Sequence, residues 1–122
     1  MPFRRILSEL LHAIHGSLGA GLLDWEGESV ESVTERPFDA DDHDLKVIGA
    51  YQGIFMTRLK RLCDDIAIGA PRRFKLEMSG TTVMSCDLKD GYYVVLIVEP
   101  STNEGVAWRE LEACREKLMA EI

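Results

Sequence analysis

The chain has 122 residues, with 14 Lys and Arg against 21 Asp and Glu, and a formal net charge of −7. At 46% hydrophobic and 29% charged residues it has the make-up of an ordinary globular protein, long enough for one core without disulfides or metals. Residues 24–44 hold nine acids and one base, whereas the rest of the chain holds 13 bases and 12 acids. That balance argues against nucleic acid, whose phosphates call for Lys and Arg, and against anionic membrane surfaces.

The longest apolar runs, such as 92–98, fall far below the roughly 20 residues that span a bilayer. The start, Met1-Pro2-Phe3-Arg4-Arg5, is basic, but Ser8, Glu9 and His12 interrupt the apolar stretch a signal peptide needs. Cys63, Cys86 and Cys114 have no Cys-x-x-Cys spacing and sit inside apolar patterns. The expectation is a cytoplasmic protein with reduced, buried thiols.

Taken in order, Phe3, Ile6, Leu7, Leu10, Leu11 and Ile14 follow the spacing of one helical face, ended by Gly16. The stretch 18–25 is apolar, rich in glycine and too short for a second helix. It reads as a buried strand closing on a turn at Glu26-Gly27, with a polar return strand over 28–34, and Pro37 breaks the pattern. A long helix is predicted over about 40–67, with Leu45, Ile48, Gln52, Phe55, Leu59, Leu62 and Ile66 as its buried stripe. Asp39, Asp41, Asp42 and Asp44 stand where carboxylates cap a helix start, and Gly69 and Pro71 end the element.

Alternation then predicts strands around Phe74, Leu76 and Met78 and over 81–86, and Lys89-Asp90-Gly91 supplies hairpin turn chemistry. The run 92–98 lacks polar alternation, so both of its faces must be covered. Ser101-Thr102-Asn103-Glu104 resembles a capping box before a last helix bearing Ala107, Leu111, Cys114 and Leu118. The order α-β-β-α-β-β-β-α gives an α+β fold, one domain over 1–122, with a mostly antiparallel five-stranded sheet between helices.

No string carries catalytic, cofactor or metal chemistry. Gly16-Ser17-Leu18-Gly19-Ala20-Gly21 follows a helix and precedes a strand, the reverse of a phosphate loop. In Asp39-Ala40-Asp41-Asp42-His43-Asp44 the turn glycine of a calcium loop is replaced by Asp44, and its final acid by Ala50. His12 and His15 share a helix without a completing ligand. No serine lies in a Gly-x-Ser-x-Gly elbow. The expectation is a protein that is not an enzyme.

Gly49 and Gly53 are more informative, because each glycine inside a helix costs about 1 kcal/mol against alanine. Four residues apart, they open a groove for another backbone, either this chain's own sheet or a second copy. Their offset from the predicted stripe favours self-association, with Ile54 and Met56 adding apolar contact. The charged strand 72–77, carrying Phe74 and Leu76, reads as a sheet edge that is either blunted or paired with a twofold mate.

Three strings carry a family resemblance across most of the chain. Gly19-Ala20-Gly21-Leu22-Leu23-Asp24 runs into Glu26-Gly27. Leu88-Lys89-Asp90-Gly91-Tyr92-Tyr93-Val94-Val95-Leu96-Ile97 forms a second string, and Asn103-Glu104-Gly105-Val106-Ala107-Trp108-Arg109 a third. Together with the element order they resemble the Roadblock/dynein light chain family, including its bacterial MglB-like members. The resemblance implies a three-layer sandwich, with the first and last helices on one face of the sheet and the long helix on the other. It also implies homo- or heterodimers joined through the long helix and the following edge strand, here Gly49, Gly53, Ile54, Met56, Phe74 and Leu76.

For function, the resemblance implies a regulator or scaffold of small Ras-like GTPases, one that stimulates hydrolysis in some members, with no catalytic residue or cofactor to transfer. A structural light chain in a motor or signalling assembly, or a small-ligand sensor, are the competing readings. Glu26, Glu28, Glu31 and Glu35 are expected to form an exposed edge opposite the dimer edge, suited to a basic partner and sensitive to salt.

Overall fold

A computed structural model describes residues 2–35 and 42–122, the side chains of 42–46 excepted. The elements in chain order are α1 (Pro2–Ala13), β1 (Ser17–Leu23), β2 (Ser29–Thr34), α2 (Asp42–Ile66), β3 (Arg73–Glu77), β4 (Thr82–Asp87), β5 (Tyr93–Val98) and α3 (Glu104–Glu121). The five strands form one antiparallel sheet in the order β2-β1-β5-β4-β3. The expected element order is therefore observed, with β2 and β3 at opposite edges. Pro37 and the capping positions Asp39 and Asp41 lie outside the described residues.

Strand β5 divides its side chains between two cores, as a strand covered on both sides must. Val94, Leu96 and Val98 join Ile6, Leu7, Leu10, Leu11 and Ile14 of α1 and Ala107, Leu111, Cys114 and Leu118 of α3 in one layer. Tyr93, Val95 and Ile97 meet Leu23, Val83 and Ile48 in the other, beneath α2. The apolar faces predicted for both terminal helices are thus the ones buried.

Local chemistry fixes the turns. The Asp24 carboxylate accepts the backbone N–H of Glu26 at 2.9 Å and of Glu28 at 3.0 Å, pinning the β1–β2 hairpin. Between β4 and β5, Asp90 (φ 57°) and Gly91 (φ 80°) both take left-handed conformations, the geometry of a type I′ hairpin turn. At the end of α2 the N–H groups of Ala67 and Ile68 donate back to the carbonyls of Asp64 and Cys63 at 3.4 and 3.3 Å. Ala67 sits at φ 55° in this Schellman cap. The start of α3 differs from expectation. Asn103 is the cap, its side chain accepting Val106 N–H at 3.0 Å, so the Ser101 capping box is not what closes this helix end.

The larger difference concerns α2. Ile48 and Gln52 turn inward as expected, but Phe55, Leu59, Leu62 and Ile66 are 37–55% exposed. The seam facing the sheet runs instead through Gly49, Gln52, Gly53, Met56 and Lys60. Two buried hydrogen bonds hold it: the Tyr93 hydroxyl donates to the Gly49 carbonyl at 2.9 Å, and the Ser85 hydroxyl donates to Gln52 Oε1 at 3.0 Å. Lys60 adds a 2.8 Å ion pair with Asp87. Burying Phe55 and Leu59 would require rotating these bonded polar groups out of register, and each group left unpaired inside costs about 1–3 kcal/mol.

Burial, and secondarily the charge of Asp24, pushes the Tyr93 phenol from 10.0 to about 12. Burial likewise lifts the Cys86 and Cys114 thiols from 9.0 to about 12. All three stay neutral in the fold and ionise more readily in the unfolded chain. Their contribution is complete below about pH 9 and is lost as pH climbs towards 12. Urea unfolding should therefore show a midpoint that is level near neutrality and falls above about pH 9. Tyr93→Phe should lower stability by about 1–2 kcal/mol at neutral pH and flatten part of that alkaline fall.

Candidate functional site

The sequence-predicted interface residues separate in the structure. A Cβ on Gly53 would fall 2.6 Å from Tyr93 Cζ, and one on Gly49 would fall 2.7 Å from Leu23 Cδ2. Both glycines therefore accommodate the chain's own sheet. Met56 is 3% exposed and lies on the same seam. Gly49 and Met56 are buried against the sheet, while Gly53, half-buried over the Tyr93 ring, also borders a surface groove beside the β1–β2 turn. Ile54 and Leu76 are exposed and Phe74 is half-buried, so they remain accessible.

What the sequence reading placed inside is the surface that stands out. Tyr51, Phe55, Leu59, Leu62 and Ile66 form an exposed apolar flank along α2. Register places Phe74 opposite Ser85 and Leu76 opposite Val83, so both point to the side of the sheet that carries α2. The alternate residues of β3 belong to the other side. Arg73 lies 4.5 Å over the Trp108 ring and 3.5 Å from Glu112. Lys75 reaches Glu104 at 2.8 Å and Glu77 at 2.7 Å. The hydrogen bonds to Glu104 and Glu77 raise the Lys75 pKa, and the bond from Lys75 lowers that of Glu104. Edge strand β3 thus offers apolar side chains on one face and engaged charges on the other.

The acidic edge is less open than its sequence suggests. Glu31 pairs with Arg4 of α1 at 3.2 Å, and Glu35 lies 3.6 Å from His12. Helix α1 approaches this edge and supplies both partners. Glu26 and Glu28 point to solvent. His12 is directed to Glu35 instead of sharing a ligand set with His15. No group of three or more His, Cys, Asp or Glu side chains suited to a metal ion occurs among the described residues. No helix among them is long and apolar enough to cross a membrane.

A five-stranded antiparallel sheet in this strand order, with α1 and α3 on one face and α2 on the other, is the Roadblock/LC7 fold, and this chain has it. Among solved structures, a Roadblock/LC7 domain from Streptomyces avermitilis superposes with a TM-score of 0.85 at 13% identity, covering 96% of this chain and 94% of that one. The gliding protein MglB from Thermus thermophilus gives a TM-score of 0.86 at 12% identity, over 98% of this chain and 87% of that one. An MglB with a tetrameric arrangement gives 0.84 at 13% identity, over 98% and 88% of the two chains. No protein-family model and no curated protein matches the sequence.

Gly53→Ala tests the assignment of the glycine notch. The added methyl must displace the buried Tyr93 ring, so chemical denaturation should show a loss of about 1–3 kcal/mol despite alanine's better helix propensity. Self-association, measured where the variant remains folded, should match wild type.

Proposed function

We propose that this chain acts, as one Roadblock-like domain over its 122 residues, as a homodimeric, non-enzymatic regulator or scaffold in the cytoplasm that binds a small Ras-like GTPase. The observation that carries the reading is the exposed apolar flank of α2 beside the β3 edge, in a fold shared with MglB. An apolar surface of this kind on a small chain is a protein-interaction surface before it is anything else. Twofold pairing would cover it with its own image, through Phe55, Leu59, Leu62 and Ile66 together with Ile54, Phe74 and Leu76. Pairing of two β3 edges would also satisfy backbone groups that the sheet leaves open there.

The GTPase partner follows from the family resemblance of the strings around residues 19–27, 88–97 and 103–109. An effect on hydrolysis would arise by positioning the GTPase's own catalytic loop, since no side chain here is assigned a chemical step. Glu26 and Glu28 keep the role of a salt-sensitive surface for basic groups of a partner, with Glu31 already paired to Arg4 and Glu35 lying beside His12.

Light scattering during size-exclusion chromatography should give a dimer for wild type. The Phe55→Glu/Leu62→Glu variant should give a monomer with an unchanged circular dichroism spectrum. A wild-type monomer, or a variant that stays fully dimeric, overturns the dimer face. For the partner, the purified protein should retain a small GTPase encoded beside it and favour one nucleotide state. Absence of binding in both the GDP and GTP-analogue forms, across several such GTPases, overturns that part.

A further inference from the structure

The opposite flank of α2 has a different character. A shallow groove of about 230 Å³ runs between the β1–β2 turn and α2, lined by Trp25, Gly27, Ile54, Thr57, Arg58 and Arg61. Trp25 is 61% exposed yet firmly placed, its ring edge-on to Tyr92 with centroids 5.6 Å apart. The turn beneath it is pinned by the Asp24 carboxylate. An exposed indole held this way loses little further freedom when a partner covers it.

The two arginines make the groove specific. Arg4, Lys60, Arg73 and Lys75 all find carboxylates within the chain. Arg58 and Arg61, one helical turn apart and both exposed, have no ion pair or hydrogen-bond partner among the described residues. In a chain of net charge −7, two such guanidinium groups beside a fixed tryptophan leave an unanswered positive site. Trp, Arg and an apolar neighbour are also the side chains on which binding energy concentrates at interfaces.

We propose that this groove docks a short acidic peptide segment of a partner protein, its carboxylates on Arg58 and Arg61 and one apolar side chain against Trp25 and Ile54. Guanidinium groups bind carboxylates in a bidentate fork, which fixes both charge and orientation. The volume lies below the roughly 300–1,000 Å³ of small-molecule pockets and suits one or two side chains. Glu26 stands at the rim and opposes an acidic ligand, so its removal strengthens binding. By the helical period Arg61 faces away from Phe55, Leu59 and Leu62, whereas Ile54 and Arg58 border that flank, so the groove and the apolar face meet along one edge of α2. Docking in the groove is separate from the GTPase reading.

The test is fluorescence anisotropy with a fluorescein-labelled peptide, Asp-Glu-Leu-Phe-Glu-Asp, against a control in which Lys and Arg replace its acids. The acidic peptide should saturate and the basic one should not. Arg58→Glu and, separately, Arg61→Ala should weaken the acidic peptide, the former by about tenfold or more, with circular dichroism unchanged. Glu26→Gln should tighten it and raised salt should weaken it. Equal binding of both peptides, no binding of the acidic one, indifference to Arg58→Glu, or weakening by Glu26→Gln each overturns the proposal. None of these readings uses a GTPase, so a failure here and a failure of the GTPase assay are told apart.

Discussion

The structure turns on one phenol. Tyr93 opens the most buried strand, where its hydroxyl needs an acceptor and its ring needs room. Helix α2 supplies both at one place: the Gly49 carbonyl takes the hydrogen bond, and Gly53 leaves the space where any other residue would put a Cβ. That contact sets how closely the helix approaches the sheet. Gln52 on Ser85 and Lys60 on Asp87 then set its rotation. Once the inward seam is made of glycine, glutamine, methionine and lysine, the bulky apolar residues of α2 have nowhere to go but outward. The exposed flank is therefore a geometric corollary of the seam, and the two flanks acquire unlike chemistry: aliphatic and aromatic on one side, tryptophan and arginine on the other.

Much of this architecture is legible in the sequence. The stripes on α1 and α3, the doubly covered run of β5 and the Asp90-Gly91 turn are strong local patterns with a single physical solution, and each appears as expected. The placement of α2's faces is not legible in the same way. The spacing of Phe55, Leu59 and Leu62 says that they share a face, and periodicity is silent on what covers that face. A signal did exist: a tyrosine within a wholly apolar strand requires a polar partner, and a helix with two glycines is the element able to bring its backbone close enough. Following that requirement would have sent Gly49 and Gly53 inward and the apolar stripe outward.

The acidic edge illustrates a second limit. Glu31 and Glu35 read as free carboxylates because sequence cannot show that Arg4 and His12 of α1, 27 and 23 residues earlier, lie against them. Long-range ion pairs of this kind depend on tertiary placement and leave no local trace. The bases behave alike. Arg73 and Lys75 look like edge-strand blunting charges, and the structure ties them to Trp108, Glu112 and Glu104 of α3. Only after those pairings are drawn does the isolation of Arg58 and Arg61 become visible.

The strand order has a kinetic side. Hairpins β1–β2 and β4–β5 close over short turns, but the sheet is unified only where β1 meets β5, with Gly21 paired to Val95 across most of the chain. Helices α1 and α3, from opposite ends of the sequence, share one core over that junction. Loop-closure entropy must be met before these distant contacts return anything, so the β1–β5 seam is the natural barrier to folding. Until it forms, a nascent chain holds two half-sheets with open edges, and α3, which helps bury the junction, is synthesised after both of them.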